Sequence, residues 1–273
     1  MAGSLKYALV TGASSGIGWH MALELAARGY GIVAVSNQGK QLEDLKNKIA
    51  GSYRVEVRVL DMDLARSDAA GEVFDFCRQE KLQVEVLVNN AGMMIYGEMV
   101  ETDPASVSAI LMLHMYTPVL LSRLFGQLML ENKKGYILNV SSISAVMPYP
   151  FISLYGPTKN FLRKFSRALR HEMKGTGVIV SCLIPGATLT SLYNTDHINV
   201  ALAMRLGIMK RPAYVARTGV RALFKDRPVR IPGTLNKVVV YGFPLIPHNL
   251  IAWIYKRVKR RETSKKRKEA RPE

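Results

Sequence analysis

Thr11-Gly-Ala-Ser-Ser-Gly-Ile-Gly18 is the stretch that decides how this chain folds. A short apolar run, residues 7–11, leads into it, and an amphipathic stretch, residues 19–27, leads out until Arg28-Gly29 stops it. A strand that enters a glycine-rich turn and leaves as a helix is the first unit of a parallel sheet. Glycine lets the backbone turn tightly and come close to a ligand. The start of the helix behind it offers free N–H groups and the positive end of a dipole to a phosphate. The competing interpretation is a tight turn that holds nothing. Three glycines (Gly12, Gly16, Gly18), together with Thr11, Ser14, Ser15 and Ile17 between strand and helix, favour a phosphate-bearing ligand.

Working outward, further strands are predicted over residues 31–36, 54–60, 84–88, 136–140 and 178–184, with a short last one at 230–231. Helical patterns fall between them over 41–50, 65–80, 106–130 and 155–173, and again over 197–209. Strand and helix alternating at this pitch imply an α/β fold, a doubly wound parallel sheet of Rossmann-like type with helices on both faces. Neither a linker nor an internal repeat interrupts it before about residue 240. The expected organisation is one domain, residues 1–240, followed by an extension, residues 241–273, that is first apolar and then strongly basic.

The chain has 273 residues, 48% of them apolar and 22% charged, enough for one sizeable core and unlike a disordered composition. Its two cysteines, Cys77 and Cys182, form neither a disulfide framework nor a metal-ligand spacing, so no metal is expected and a reducing compartment suits them. The apolar run at residues 5–10 is too short for a secretion signal, and no unbroken apolar stretch reaches the roughly 20 residues of a membrane span. These features lead us to expect a cytoplasmic protein. The net charge of +17 is uneven: residues 256–273 hold ten Lys/Arg against three Glu. Such a tail attracts anionic lipid or nucleic acid, or serves as a solvated end. No recognised nucleic-acid module or aromatic stacking platform accompanies it, so specific nucleic-acid binding is not expected.

Tyr155 and Lys159 lie four residues apart in Ser-Leu-Tyr-Gly-Pro-Thr-Lys, thirteen residues after Ser142. On a helix the two side chains share a face. An ammonium beside a phenol favours the phenolate and lowers a tyrosine pKa that starts near ~10. A hydroxyl such as Ser142 could hold a carbonyl oxygen against that phenol. Alone, this spacing arises often by chance.

Taken together, Thr11–Gly18, Asp63-Leu64, Asn89-Asn-Ala-Gly92, Ser142, Tyr155-x-x-x-Lys159 and Pro185-Gly186 stand in one order and spacing. In this the chain resembles the short-chain dehydrogenase/reductase family, classical type, over roughly residues 5–235. The resemblance implies that Gly12–Gly18 wraps a pyrophosphate, and that Asp63 and Leu64 meet the adenine. It implies that Asn90, Ala91 and Gly92 line the cofactor, and that Pro185, Gly186 and Thr190 frame the nicotinamide. Tyr155 becomes the general acid of ketone reduction, Lys159 holds the nicotinamide ribose and tunes Tyr155, and Ser142 anchors the substrate oxygen. A homodimer or homotetramer is also implied. Taken singly, Asp63 could instead cap a helix, Asn89 and Asn90 could serve a turn, and Ser142 could be a loop hydroxyl.

One position departs from the family. Where it usually carries an asparagine that helps a water connect the lysine to solvent, this chain has His114. Histidine can relay protons; it can also simply pack or hydrogen-bond. If the relay is lost, a dinucleotide-binding scaffold or sensor with weak or no catalysis becomes the alternative function.

An acid just after the second strand would favour NAD(H). The chain reads Val35-Ser36-Asn37-Gln38-Gly39-Lys40, with no acid there. Ser36, Asn37 and Lys40 could accept a 2′-phosphate, so NADP(H) is expected. The loops that follow carry Met93, Met94, Tyr96 and Met99, then Met147, Tyr149, Pro150 and Phe151, then Leu192 and Tyr193. That lining suits a lipophilic ketone or alcohol: a 3-oxoacyl lipid, a sphingoid-base ketone or a steroid. Residues 243–255 are apolar, with Trp253 and Tyr255 directly before the basic run. This predicts peripheral contact with the anionic inner face of a membrane; a helix docked on the domain or on a second subunit is the alternative.

Overall fold

In the computed structural model, the described residues are 5–147, 151–190, 200–205 and 207–245, with positions 249, 253, 256 and 257. Lys6–Thr11 (β1), Gly31–Ser36 (β2), Val57–Asp61 (β3), Gln83–Asn89 (β4), Gly135–Val140 (β5), Val178–Leu183 (β6) and Val229–Arg230 (β7) form one sheet. Its order is β3-β2-β1-β4-β5-β6-β7, and every pairing is parallel. The expected doubly wound fold is therefore present. Parallel sheets are covered on both faces, which is why β2 is buried along its whole length and reads as a continuous apolar run.

On one face Gly16–Ala26 (α1), Gly39–Ala50 (α2) and Pro212–Phe224 (α8) bury Met21, Leu45 and Leu223 against Ala8, Val10 and Ala34 of the sheet. On the other, Ala69–Gln79 (α3), Thr117–Glu131 (α5) and Tyr155–Glu172 (α6) bury Val73, Phe125 and Leu169 against Leu9, Val33 and Ile137. Each large side chain so buried contributes roughly 1.5–3 kcal/mol. The free thiols of Cys77 and Cys182 are buried in these layers, and burial pushes both up to about 12.

Several boundaries differ from the sequence expectation for local reasons. The third helix starts at Ala69, not at residue 65, because the Asp63 carboxylate accepts the Ala65 N–H at 2.9 Å and holds a turn. The helix expected over 106–130 begins earlier, at Pro104–Leu111 (α4), where Asp103 caps it by accepting the Ser106 N–H at 3.0 Å. It then widens into a π-turn, Met112–Tyr116, before continuing as α5. The whole rod, Pro104–Glu131, is the one helix among the described residues long and apolar enough by composition to cross a membrane. Leu121, Phe125 and Met129 bury one side of its second half against the sheet.

Two helices were not anticipated, α8 and Thr234–Gly242 (α9). Of the segment 197–209, Val200–Arg205 is helical (α7); residues 191–199 and 206, including Leu192 and Tyr193, lie outside the described residues. So do Tyr149, Pro150 and most of the C-terminal extension.

Candidate active site

β1 and β4 are neighbours in the middle of the sheet, but their crossovers run to opposite sides, to β2 and to β5. Such a reversal leaves a crevice at the carboxyl ends of the strands. A cleft of about 420 Å³ opens there. It is lined by Gly12, Ser14, Ser15, Gly16 and Ile17 from the turn after β1, and by Ser36 and Asn37 after β2. Asp63 and Leu64 line it after β3, Asn90, Ala91 and Gly92 after β4, and Pro185, Gly186 and Thr190 after β6. Ser142, Tyr155 and Lys159 complete it. Sequence positions more than 140 residues apart thus share one wall. Among the expected catalytic and cofactor residues, Gly18, His114 and Lys40 do not line the cleft.

The glycine turn has the shape of an anion cradle. Gly12 has φ +64°, and a Cβ there would stand 2.8 Å from Ala91 Cα, so only glycine lets the turn press against the end of β4. Ser15 at the start of α1 makes no side-chain cap, so the leading N–H groups of the helix are left for an external acceptor. Gly18 acts one layer below: any side chain on it would collide with the Gly12 carbonyl. These features fit the pyrophosphate of a dinucleotide.

Thr11, Asn89 and Asn90, already picked out in the sequence, hold the site together with Asn139, Ser141 and Ser166, which were not. Thr11 Oγ accepts the N–H groups of Asn90 and Ala91, both at 3.0 Å, and donates to the Val88 carbonyl at 3.2 Å. The Asn90 amide donates to the carbonyls of Thr11 and Gly12 at 2.9 and 3.1 Å, so the turns after β1 and β4 move as one piece. Deeper, Asn89 donates to Asn139 at 2.8 Å and Asn139 to Ser166 at 2.9 Å, a buried polar chain from β4 through β5 to α6. Ser141 Oγ fastens α6 again by donating to the Lys159 carbonyl at 2.7 Å. The available signal was a polar residue inside an otherwise apolar strand, which burial tolerates only when it is hydrogen-bonded.

Ser142 follows β5 in extended conformation, and its Oγ accepts the Ser144 N–H at 3.2 Å. Tyr155 opens α6, which places Lys159 one turn on and on the same side. The ammonium of Lys159 is buried, donates to the Val140 carbonyl at 3.2 Å, and lies 5.8 Å from the centre of the Tyr155 ring. Burial pushes its pKa down to about 8, and the neighbouring Cys182 thiol opposes part of that shift.

His114 stands behind Gly92, in the π-turn, and is 1% exposed. Its Nε2 accepts the Met93 N–H at 3.0 Å, so Nε2 carries no proton. The proton of the neutral ring is therefore on Nδ1, which donates to Thr158 Oγ at 2.9 Å; Thr158 in turn donates to the Tyr155 carbonyl at 2.9 Å. Burial holds the ring well below the usual imidazole range, and the Lys159 charge adds to this. The imidazole thus joins the loop that carries Met93 to the first turn of the helix that carries Tyr155. Both nitrogens are engaged.

Among the substrate-loop residues, Met93 and Met94 line the cleft. Tyr96 and Phe151 stack outside it at 5.5 Å, held by the Gly97 N–H donating to the Phe151 carbonyl at 2.8 Å. Lys40 does not line the cleft. Asp61, paired with Ser36 at the end of β3, packs against Gly39 and does not line it either. Among the described residues no cluster of His, Cys, Asp or Glu could hold a metal ion.

Residues 6–199 match the family model described as short chain dehydrogenase. The chain is 34% identical over 191 residues to very-long-chain 3-oxoacyl-CoA reductase-B of Danio rerio, an alignment covering 68% of this chain and 61% of that protein. It is 30% identical over 199 residues to human 17-beta-hydroxysteroid dehydrogenase type 3, covering 71% and 63%. The chain thus spans less than two thirds of the length of these curated relatives. A short-chain dehydrogenase from Sphingobium yanoikuyae in complex with NADPH superposes with a TM-score of 0.76 at 28% identity, covering 84% of this chain and 88% of that one.

Proposed function

The chain belongs to the short-chain dehydrogenase/reductase family, and from that premise we propose an NADP(H)-dependent oxidoreductase that interconverts a ketone and a secondary alcohol on a lipophilic substrate. The observation that carries this proposal is the convergence of Tyr155, Lys159 and Ser142 on the cleft that the Gly12–Gly16 cradle opens into. The nicotinamide supplies the hydride when the cofactor is bound. In the reducing direction Tyr155 gives its hydroxyl proton to the carbonyl oxygen, and Ser142 Oγ donates a hydrogen bond to the same oxygen. Lys159 stabilises the phenolate left on Tyr155 and holds the ribose. Gly12, Ser14, Ser15, Gly16 and Ile17 hold the pyrophosphate, and Asp63 and Leu64 flank the adenine.

The preference for NADP(H) is supported by the corner after β2. Ser36 Oγ donates to Ser14 Oγ at 2.9 Å, Asn37 lines the cleft beside them, and the residues directly after β2, Asn37 and Gln38, carry no acid. Comparing kcat/KM with the two cofactors tests it; clearly better use of NADH overturns it. The lipophilic substrate is supported by Met93, Met94 and Leu113 in the lining and by the names of the relatives, a 3-oxoacyl-CoA reductase and a hydroxysteroid dehydrogenase. A 3-oxoacyl lipid, a sphingoid-base ketone and a steroid are the classes to assay. We also propose a homodimer or homotetramer, a cytoplasmic location, and peripheral membrane contact through residues 241–273. In that extension the Arg257 guanidinium lies 5.5 Å from the centre of the exposed Trp253 ring. Tyr155→Phe tests the chemistry: turnover falls at least ~100-fold with cofactor binding retained, and undiminished turnover refutes the assignment.

A further inference from the structure

The segment that follows β6 toward Thr190 is backed by a surface that differs from the rest of the molecule. Thr188 and Lys210 form an isolated parallel bridge; the Leu189 N–H donates to the Lys210 carbonyl at 3.0 Å and the Lys210 N–H to the Ala187 carbonyl at 2.9 Å. Gly186 packs on Asn236 of α9, and the stem of Lys210 lies against Gly233 just before that helix. Segments 185–190 and 207–211 and helix α9 therefore form one continuous rim at the mouth of the cleft.

Leu189, Ile208, Leu235, Val238 and Tyr241 on this rim are all exposed, Val238 to 64% and Tyr241 to 65%. Leu235, Val238 and Tyr241 recur every third residue and make one stripe along α9. Single exposed apolar residues are ordinary; a row of them beside a ligand site marks an interaction surface. Its charge is one-sided. The described stretches 185–190, 200–205, 207–214 and 233–242 contain Arg205, Lys210, Arg211 and Lys237 and no Asp or Glu. An apolar ridge with basic edges is the composition of an interfacial lipid contact. The basic edge of the rim is complementary to an anionic bilayer.

We propose that this rim docks on an anionic lipid surface and turns the cleft mouth toward the bilayer, so that a lipophilic ketone passes from lipid to Tyr155 without crossing water. The inference rests on the lipophilic-substrate proposal above, and it assigns the contact to the folded domain in addition to the basic extension.

The test uses the full chain with vesicles of phosphatidylcholine alone or mixed with phosphatidylglycerol. Three proteins are compared: wild type, Val238→Ser/Tyr241→Ser, and a tail variant with Lys265→Glu, Lys266→Glu and Arg267→Glu. Light scattering and thermal unfolding are measured on each. Wild type should co-sediment with the anionic vesicles only. The α9 variant should bind them about tenfold more weakly, with unchanged mass in solution and unchanged unfolding temperature. Its turnover of a vesicle-dissolved ketone should fall while that of a water-soluble ketone stays the same. Equal vesicle binding by wild type and the α9 variant, with loss only in the tail variant, overturns the proposal. So does a drop in mass of the α9 variant, which would make this face a contact between copies. Absence of turnover with every ketone would refute the proposed function instead, and vesicle binding is read independently of it.

Discussion

Replacing His114 by asparagine should remove a defined part of the acid sensitivity of this protein. In the native fold the ring is neutral: Nε2 is occupied by the Met93 N–H, the side chain is buried, and the Lys159 ammonium stands nearby. In the unfolded chain the same imidazole titrates at its ordinary value of 6.5. The folded pKa is depressed, so below pH 6.5 the unfolded state binds a proton that the native state refuses, and stability is lost as pH falls. Between pH 7.5 and 5.5 a single group that stays neutral in the fold accounts for roughly 1 kcal/mol. His20 shifts in the same direction but is present in both proteins, so it cancels in the comparison. Denaturant unfolding at the two pH values should therefore show wild type losing roughly 1 kcal/mol more than His114→Asn. At pH 7.5 the variant should itself be weaker by about 1–2 kcal/mol, because the bond to Thr158 goes. The same geometry predicts that the pH–rate profile of wild type has no limb near 6.5 that the variant lacks. Equal acid losses in the two proteins, or a limb near 6.5 seen only in wild type, would refute the neutral, doubly bonded histidine and restore a proton-relay role.

Lys159→Met should stabilise the cofactor-free protein while abolishing turnover. A shift from 10.5 to about 8 corresponds to roughly 3 kcal/mol of cost at neutral pH, against about 1 kcal/mol for the lost bond to Val140. Thermal unfolding should rise by several degrees, and the gain in stability that wild type shows as pH rises from 8 to 10.5 should vanish; a lower unfolding temperature in the variant contradicts this. Gly12→Ala should weaken cofactor binding at least ~10-fold in a fluorescence titration, since φ +64° costs an L-residue about 1–2 kcal/mol and the new Cβ meets Ala91 Cα at 2.8 Å. Unaltered affinity would remove the close-approach role of that glycine.

The central strands and their parallel pairing were legible because both faces of the sheet are covered there, so β1, β2, β4, β5 and β6 read as short, mainly apolar runs between turns. Helix starts were less so. Asp63 was legible as a capping residue, yet it stabilises a turn four residues short of α3, a choice made by local hydrogen bonds. α8 was missed although Val215, Val220 and Leu223 fill the core beside α1. The motif residues of the cleft stood out because glycines, asparagines and a Tyr-x-x-x-Lys pair break apolar patterns.

Sequence alone determined the fold class, and it pointed to the glycine turn after β1 and to Ser142, Tyr155 and Lys159 as candidates. Those depend on local chemistry: where φ is positive, where a helix begins, and which residues four apart share a face. Only the tertiary structure decided what His114 does. Its two nitrogens meet Met93 and Thr158, which are 21 and 44 residues away, and no spacing along the chain encodes that meeting. The rim of Leu189, Ile208 and α9 likewise exists only after segments distant in sequence have packed, because exposure is a property of what covers a side chain rather than of the side chain itself.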